Sequence, residues 1–283
     1  MTKVSGSAAI SAAFNFIGPG WRAAWAILLL YGVCSFALQI WLAAVTDVAA
    51  AITTPAALAA NSGKLWQGLP LGLMAMAAST ATYGALYRAG LGQADENGPG
   101  GLQWKAAEWR ILGAVVLLVA MVALPISALF VAIFGSMAAS VKSSPAAAIA
   151  MAGWLGLLFL ILAPLVIWVS VRISPYLAAT VDQKRIVVFG AWDLTRGAFW
   201  PIFGALIVVG IASALVVGFG QIVGLTIRAT EGAIADPTPN QMVLPALVQA
   251  AAAILILPAK VGLMAYVYRA VRPATPAVEE VFA

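Results

Sequence analysis

The chain has 283 residues, of which 63% are hydrophobic and 9% are charged, and its formal net charge at pH 7 is +5. Soluble domains contain about 45–50% apolar and about 25% charged residues, so these charges are too few to cover a surface that faces water. The composition therefore predicts a membrane protein. It excludes a disordered chain and, with a single cysteine, a disulfide-stabilised scaffold.

Six stretches are apolar over the roughly 20 residues that a membrane-spanning helix requires. They are residues 23–46, 69–87, 111–137, 149–171, 199–225 and 243–268. We therefore predict an all-α integral membrane protein that forms one polytopic domain over residues 1–283. Six transmembrane helices place both termini on the same side of the membrane.

Basic residues are distributed unequally between the two sides of this layout. The side that carries the termini holds Lys3, Arg22, Arg88, Lys105, Arg110, Arg172, Lys184, Arg185, Arg196, Arg269 and Arg272, and the other side holds Lys64, Lys142 and Arg228. The positive-inside rule then predicts that both termini lie in the cytoplasm. Because topology and anionic headgroups account for the basic charge, no nucleic-acid partner is expected.

The chain also shows signs of an internal threefold repeat. Each odd-numbered span begins at a similar tryptophan-led segment, and each following span ends at an arginine. The tryptophans are Trp21, Trp109 and Trp200, and the arginines that follow them by 67, 63 and 69 residues are Arg88, Arg172 and Arg269. The pattern predicts repeats over 7–92, 101–182 and 186–273. The alternative is that polytopic proteins share a composition that makes any two spans look alike.

A short amphipathic segment precedes each tryptophan, over residues 10–17, 102–110 and 188–199. We interpret these segments as elbow helices that lie in the cytoplasmic interface. In the second segment, the periodicity places Trp109 on the apolar face and Glu108 on the polar face. Residues 93–101, of which four are Gly or Pro, are expected to form a solvated loop.

Residues 171–200 carry an arginine near the end of the fourth span, a nearby proline and a Trp-x-Leu-Thr-Arg-Gly-x-Phe-Trp elbow. The residues are Arg172, Pro175, Trp192, Leu194, Thr195, Arg196, Gly197, Phe199 and Trp200. This stretch resembles a bacterial family of six-span membrane proteins related to the membrane domain of glycerophosphoryl diester phosphodiesterases. The chain contains no segment like the catalytic domain of those enzymes, so the resemblance does not extend to their activity. It implies a membrane role in envelope or lipid homeostasis.

Lys260 is the charged residue whose predicted depth in the membrane costs the most free energy. It follows Pro258 and precedes Arg269 by nine residues, or about 13 Å along a helix. A charge at that depth costs at least about 2.5–3.5 kcal/mol, which makes it a candidate ligand-binding residue. The alternative is that its ammonium snorkels toward the cytoplasmic face.

The three repeat arginines, Arg88, Arg172 and Arg269, are candidates for binding lipid phosphates through bidentate hydrogen bonds. The alternatives are ordinary topological anchoring, or pairing with Asp182 and Asp193.

The third elbow contributes a further set of residues, for which a structural role is the favoured interpretation. They are Trp192, Asp193, Thr195, Arg196 and Trp200. Asp193 and Arg196 are three residues apart and are expected to pair on one helical face, while Thr195 is expected to bond locally.

Signatures of catalysis, cofactors and metals are absent from the sequence. Histidine is missing altogether, and no phosphate-binding loop, paired-cysteine motif or nucleophile elbow is present. We therefore expect no cofactor, no metal and no catalytic residues. The leading hypothesis is a non-enzymatic protein that binds membrane lipids, or a partner membrane protein, or a second copy of itself. The alternative is a small transporter or channel for a lipid-like or amphiphilic solute.

Overall fold

The computed structural model describes residues 4–51, 63, 66–123, 127, 153, 160, 162–231 and 239–272. Regular structure within these ranges is entirely helical. In chain order the helices are α1 (Gly6–Asn15), α2 (Ile17–Ala51), α3 (Leu69–Gly90), α4 (Ala106–Leu118), α5 (Leu162–Asp182, interrupted by a turn at Ser174 and Pro175), α6 (Gly190–Leu194), α7 (Phe199–Glu231) and α8 (Pro239–Val271).

Five of the described helices are long and apolar enough to cross a membrane. The apolar stretches are Ile17–Leu42, Leu69–Gly90, Leu162–Asp182, Phe199–Val223 and Val243–Val271. These confirm the prediction of a helical, membrane-embedded chain. Residues 124–126 and 128–137 of the predicted third span, and residues 149–161 of the fourth except 153 and 160, lie outside the described residues.

Helix α8 forms the centre of the described bundle. Of its apolar stretch, 61% is buried inside the protein, compared with 22% for α7. It packs against α1, α2, α3 and α7, and Val261, Leu263 and Val267 are fully buried. Helices α1, α2, α3 and α7 therefore surround α8, and α2, α3 and α7 expose apolar side chains outward, as lipid permits.

Phe16, at the junction of α1 and α2, is held among glycines of three helices. A Cβ atom added at Gly262 of α8 would lie 2.5 Å from the Phe16 Cβ, and one added at Gly20 of α2 would lie 3.1 Å from its ring. A Cβ atom added at Gly90 of α3 would lie 3.6 Å from the same ring. Small residues let helices approach closely in membranes, so this glycine cluster fixes α1 against the bundle.

The first elbow segment contains a separate helix, α1. Helix α1 is capped by Ser5, whose Oγ accepts a hydrogen bond from the Ala8 N–H. Its buried positions are Ala9 and Ala13, which pack toward α7 and α8, whereas Phe14 is 42% exposed. The chain bends at Ala24, inside α2, where φ is −141° and ψ is 24°.

The second elbow, predicted over 102–110, is not a separate helix. Residues 102–105 are non-helical, and α4 begins at Ala106 and continues past Trp109 without a break. The facing predicted for Glu108 is wrong, because its side chain is fully buried and pairs with Arg88. The 63% exposure of Trp109 is compatible with an apolar face that turns toward lipid.

The third elbow is a helix of five residues, α6, followed by Gly197 in the left-handed region with φ of 86°. Because α6 ends at Leu194, Asp193 and Arg196 do not share a helical face, and both side chains are exposed without an ion pair. Their predicted pairing is therefore wrong. Trp200 is the second residue of the next helix, α7, and is 74% exposed.

The segment 93–101 was expected to be a solvated loop, and this holds for only part of it. Asp95 and Glu96 are exposed, but Gly101 is buried. The segment forms two 3-10 turns, and the second packs against α2 with positive φ at Gly100 and Gly101. A Cβ atom at Gly101 would lie 2.9 Å from Ile27, so glycine is needed for this approach. The loop therefore forms one wall of the structure beside the end of α3.

Candidate anion-binding pocket

Arg88 lies in the last turn of α3 and is almost completely buried. Its Nη1 donates a hydrogen bond to Glu108 Oε1 at 2.6 Å, and its Nε donates to Asn97 Oδ1 at 2.7 Å. The third nitrogen, Nη2, is buried and has no hydrogen-bond partner. A buried donor without an acceptor costs about 1–3 kcal/mol, so Arg88 has unused capacity to bind an acceptor group.

Glu108 neutralises Arg88 and also starts helix α4. Its Oε2 accepts a hydrogen bond from the Lys105 backbone N–H at 2.7 Å, as the carboxylate at the third position of a helix does in a capping box. A Cβ atom at Gly84 would lie 2.5 Å from Glu108 Oε1, so only glycine at position 84 leaves room for the carboxylate. The anion sits at a helix N-terminus and its arginine partner near a helix C-terminus, both of which the helix dipole favours.

Side-chain hydrogen bonds attach the connecting loop to this ion pair. Asn97 Nδ2 donates to the Ala85 carbonyl at 3.0 Å, and Lys105 Nζ donates to the Glu96 carbonyl at 2.5 Å. Arg88 therefore contacts both the loop and α4. These contacts define an ordered polar surface at the end of the bundle where α3 finishes and α4 begins.

A pocket of about 230 Å³ opens at this surface. Its walls come from the end of α3, the loop, the start of α4 and the residues around the end of α5. They consist of Arg88, Gln93, Glu96, Lys105, Ala106, Ala107, Arg110, Val181 and Lys184. Four of these side chains are cationic and one is a carboxylate. With Glu108 behind Arg88, the six charged groups have a net charge of +2.

Arg172, the second predicted site residue, does not line this pocket. Its guanidinium carbon lies 5.7 Å from the ring centroid of Trp168 and 5.8 Å from that of Trp192. Its Nε and Nη1 are buried without hydrogen-bond acceptors, so the two indole faces are its partners, through cation–π attraction. The Thr195 hydroxyl donates to the Arg172 carbonyl at 2.9 Å, so Arg172 joins α5 to the segment that follows α6. We refer to Arg172, Trp168 and Trp192 as the tryptophan clamp.

Arg269 and Lys260 lie outside the pocket and the tryptophan clamp. Both side chains are exposed on α8, and neither makes a hydrogen bond or ion pair within the described structure. Asp182 was considered as a partner for the three repeat arginines. Its Oδ2 instead accepts a hydrogen bond from the Tyr268 hydroxyl at 2.8 Å and lies 3.9 Å from Arg272 Nη1. The three repeat arginines therefore occupy three different environments, and the structure brings Arg88 alone of them into the pocket.

Sequence reasoning did not identify several residues that build the pocket, namely Asn97, Lys105, Glu108, Arg110 and Lys184. Glu108 carried a usable signal. The chain has only ten acidic residues, and one placed at the start of an apolar helix is a natural partner for a buried arginine. Nothing in the local pattern indicated Lys184, because it reaches the pocket from a segment 74 residues beyond Arg110.

The pocket contains groups that bind anions and no nucleophile paired with a base. Among the residues that the structure describes, no group of three or more His, Cys, Asp or Glu side chains is placed to hold a metal ion. Comparison of the chain with protein-family models, curated proteins and solved structures gives no significant match. The resemblance to the phosphodiesterase-associated membrane family therefore depends on the residues between 171 and 200 alone.

Proposed function

We propose that this chain is a non-enzymatic membrane protein that binds an anionic lipid headgroup in the pocket beside Arg88. The observation that carries the proposal is the unpartnered Nη2 of a buried arginine in a wall of four cations. A phosphate oxygen there would provide the acceptor that Arg88 lacks. Hydrogen bonds to charged groups contribute about 1.5–3 kcal/mol each, so a few such contacts suffice for specific binding.

The position of the pocket supports a lipid as the ligand. The pocket lies where α3 ends and α4 begins, at one end of apolar helices of membrane-spanning length. On the proposed topology this end faces the cytoplasmic leaflet, which carries anionic headgroups. A headgroup can therefore reach the pocket while its acyl chains stay among the exposed apolar side chains of the bundle.

The proposal includes the complete layout predicted from the sequence. It comprises six spans in the bacterial inner membrane, cytoplasmic termini and three related units over 7–92, 101–182 and 186–273. A role in envelope or lipid homeostasis, as the family resemblance implies, fits a protein that binds lipid. The transporter alternative needs a polar route to Lys260, and the Lys260 side chain neither lines the pocket nor is buried within the described bundle.

Lipid retention in matched charge variants tests the proposal. Arg110→Gln/Lys184→Gln removes two pocket cations, and Arg185→Gln/Arg196→Gln removes two exposed cations outside the pocket. Native mass spectrometry of protein purified from membranes should show at least about a tenfold loss of anionic lipid in the pocket variant only. Equal lipid retention by the two variants would contradict the proposal.

A further inference from the structure

We infer that the pocket selects a phosphomonoester headgroup, of the phosphatidic acid type, over phosphodiester headgroups such as those of phosphatidylglycerol or phosphatidylethanolamine. This inference depends on the proposed function, because it names the class of anion that the same pocket binds. The charge balance, the arrangement of donors and the size of the pocket support it.

The charge balance of the pocket matches a dianion. The charged groups are four cations, Arg88, Lys105, Arg110 and Lys184, and two carboxylates, Glu96 in the wall and Glu108 behind Arg88. Their net charge is +2, which a phosphomonoester of charge near −2 neutralises. A phosphodiester has a single negative charge and leaves one cation unbalanced, and a zwitterionic headgroup leaves two.

The donors approach the pocket from three parts of the chain. Arg88 comes from α3, Lys105 and Arg110 from the start of α4, and Lys184 from the segment after α5. A phosphomonoester offers three terminal oxygens as acceptors, whereas a phosphodiester offers two. Three terminal oxygens therefore provide one acceptor for each of the three parts of the chain, whereas the two of a diester must be shared among them.

The pocket is also small. Its volume of about 230 Å³ lies below the roughly 300–1,000 Å³ of ordinary small-molecule sites. Ala106, Ala107 and Val181 provide apolar wall that suits the glycerol carbons next to a phosphate. A polar substituent on the far side of the phosphate would compete for this space. Glu96, the one carboxylate in the described wall, is exposed, so it offers no enclosed partner for an ammonium group.

The test measures lipid binding to the full chain in phosphatidylcholine nanodiscs that contain either phosphatidic acid or phosphatidylglycerol. We expect at least a tenfold preference for phosphatidic acid at about pH 8. This preference should shrink toward about pH 5, because the monoester loses its second charge near pH 6. The titratable and charged groups that face the pocket are Arg88, Glu96, Lys105, Arg110 and Lys184, with Glu108 behind, and the chain has no histidine. Titration of these groups affects both lipids, so a pH dependence confined to phosphatidic acid reports its phosphate.

The outcomes separate this inference from the proposed function. If both lipids bind equally at both pH values, and both are lost in Arg110→Gln/Lys184→Gln, the preference is overturned while lipid binding stands. If soluble glycerol phosphate binds and phosphatidic acid does not, the lipid proposal fails although the phosphomonoester chemistry is supported. If neither lipid nor glycerol phosphate responds to the pocket substitutions, both proposals are overturned.

Discussion

Arg88 Nη1 and Glu108 Oε1 lie 2.6 Å apart, and both side chains are buried. The pair connects the end of α3 to the start of α4 and fixes the loop between them through Asn97. Burying two charges costs several kcal/mol for each ion, which pairing and further hydrogen bonds must offset. In this structure Glu108 accepts hydrogen bonds from two partners. Arg88 donates to two partners, and its third nitrogen, Nη2, has no acceptor.

Breaking this pair from one side should destabilise the protein strongly. Glu108→Ala leaves the Arg88 guanidinium buried and unpaired, at an expected cost of about 3–5 kcal/mol. Glu108→Gln keeps an acceptor for Arg88 and should lie between the parent and Glu108→Ala. Thermal unfolding in detergent measures this order. The double variant Arg88→Met/Glu108→Met removes both charges and should be more stable than Glu108→Ala. If the double variant loses as much stability as Arg88→Met and Glu108→Met lose in total when measured singly, the two residues do not interact.

The glycine cluster around Phe16 makes a prediction with an internal control. Gly262→Ala places a Cβ atom 2.5 Å from the Phe16 Cβ, and overpacking of this kind costs about 1–3 kcal/mol. Gly210→Ala on α7 meets nothing within 4 Å, and it should gain up to about 1 kcal/mol from helix propensity. Melting temperatures should therefore shift in opposite directions. A shift of the same sign in both variants would contradict the packing described for α1.

The tryptophan clamp predicts a stability role for Arg172 that differs from lipid binding. Arg172→Lys replaces a planar guanidinium that contacts two indoles with a compact ammonium, so we expect a loss of about 1–2 kcal/mol. Arg269→Lys, at an exposed position on α8, serves as the control and should leave the melting temperature unchanged. Lipid retention should match the parent in both variants. Loss of anionic lipid in Arg172→Lys at unchanged stability would instead favour lipid binding by the three repeat arginines.

The topology can be tested by accessibility of single cysteines in a Cys34→Ala background. Cysteines at Gln93 and Lys184 should react only from the cytoplasmic side. Cysteines at Ser62 and Asp236, which lie outside the described residues, should react only from the opposite side. Cytoplasmic labelling of Asp236 would reject the six-span layout.

Hydrophobicity and length were sufficient to predict the helical, membrane-embedded class and the approximate positions of five spans, although the fourth continues to Asp182, eleven residues beyond its predicted end. These properties are local, because a spanning helix must satisfy its backbone hydrogen bonds within its own residues. The bend near the start of the first span was not predicted. The bend at Ala24 arises within an apolar run that carries no proline or glycine signal at that residue.

The pocket was less predictable, because it depends on contacts between distant segments. Arg88 was singled out from its repeat position, but its partner Glu108 was assigned to a solvated face by helical periodicity. That rule assumes that polar residues face solvent, and it fails where lipid surrounds the helix and the polar groups are buried together. Arg172 shows the same limit, because its two tryptophan partners come from different helices.

The most direct test of the central claim is an experimental map of the protein in nanodiscs that contain phosphatidic acid. The account predicts phosphate density in the pocket, with an oxygen within about 2.7–3.2 Å of Arg88 Nη2 and further contacts to Arg110 and Lys184. Headgroup density only on the outer surface of the bundle, with Arg88 Nη2 bonded to a protein acceptor, would contradict it.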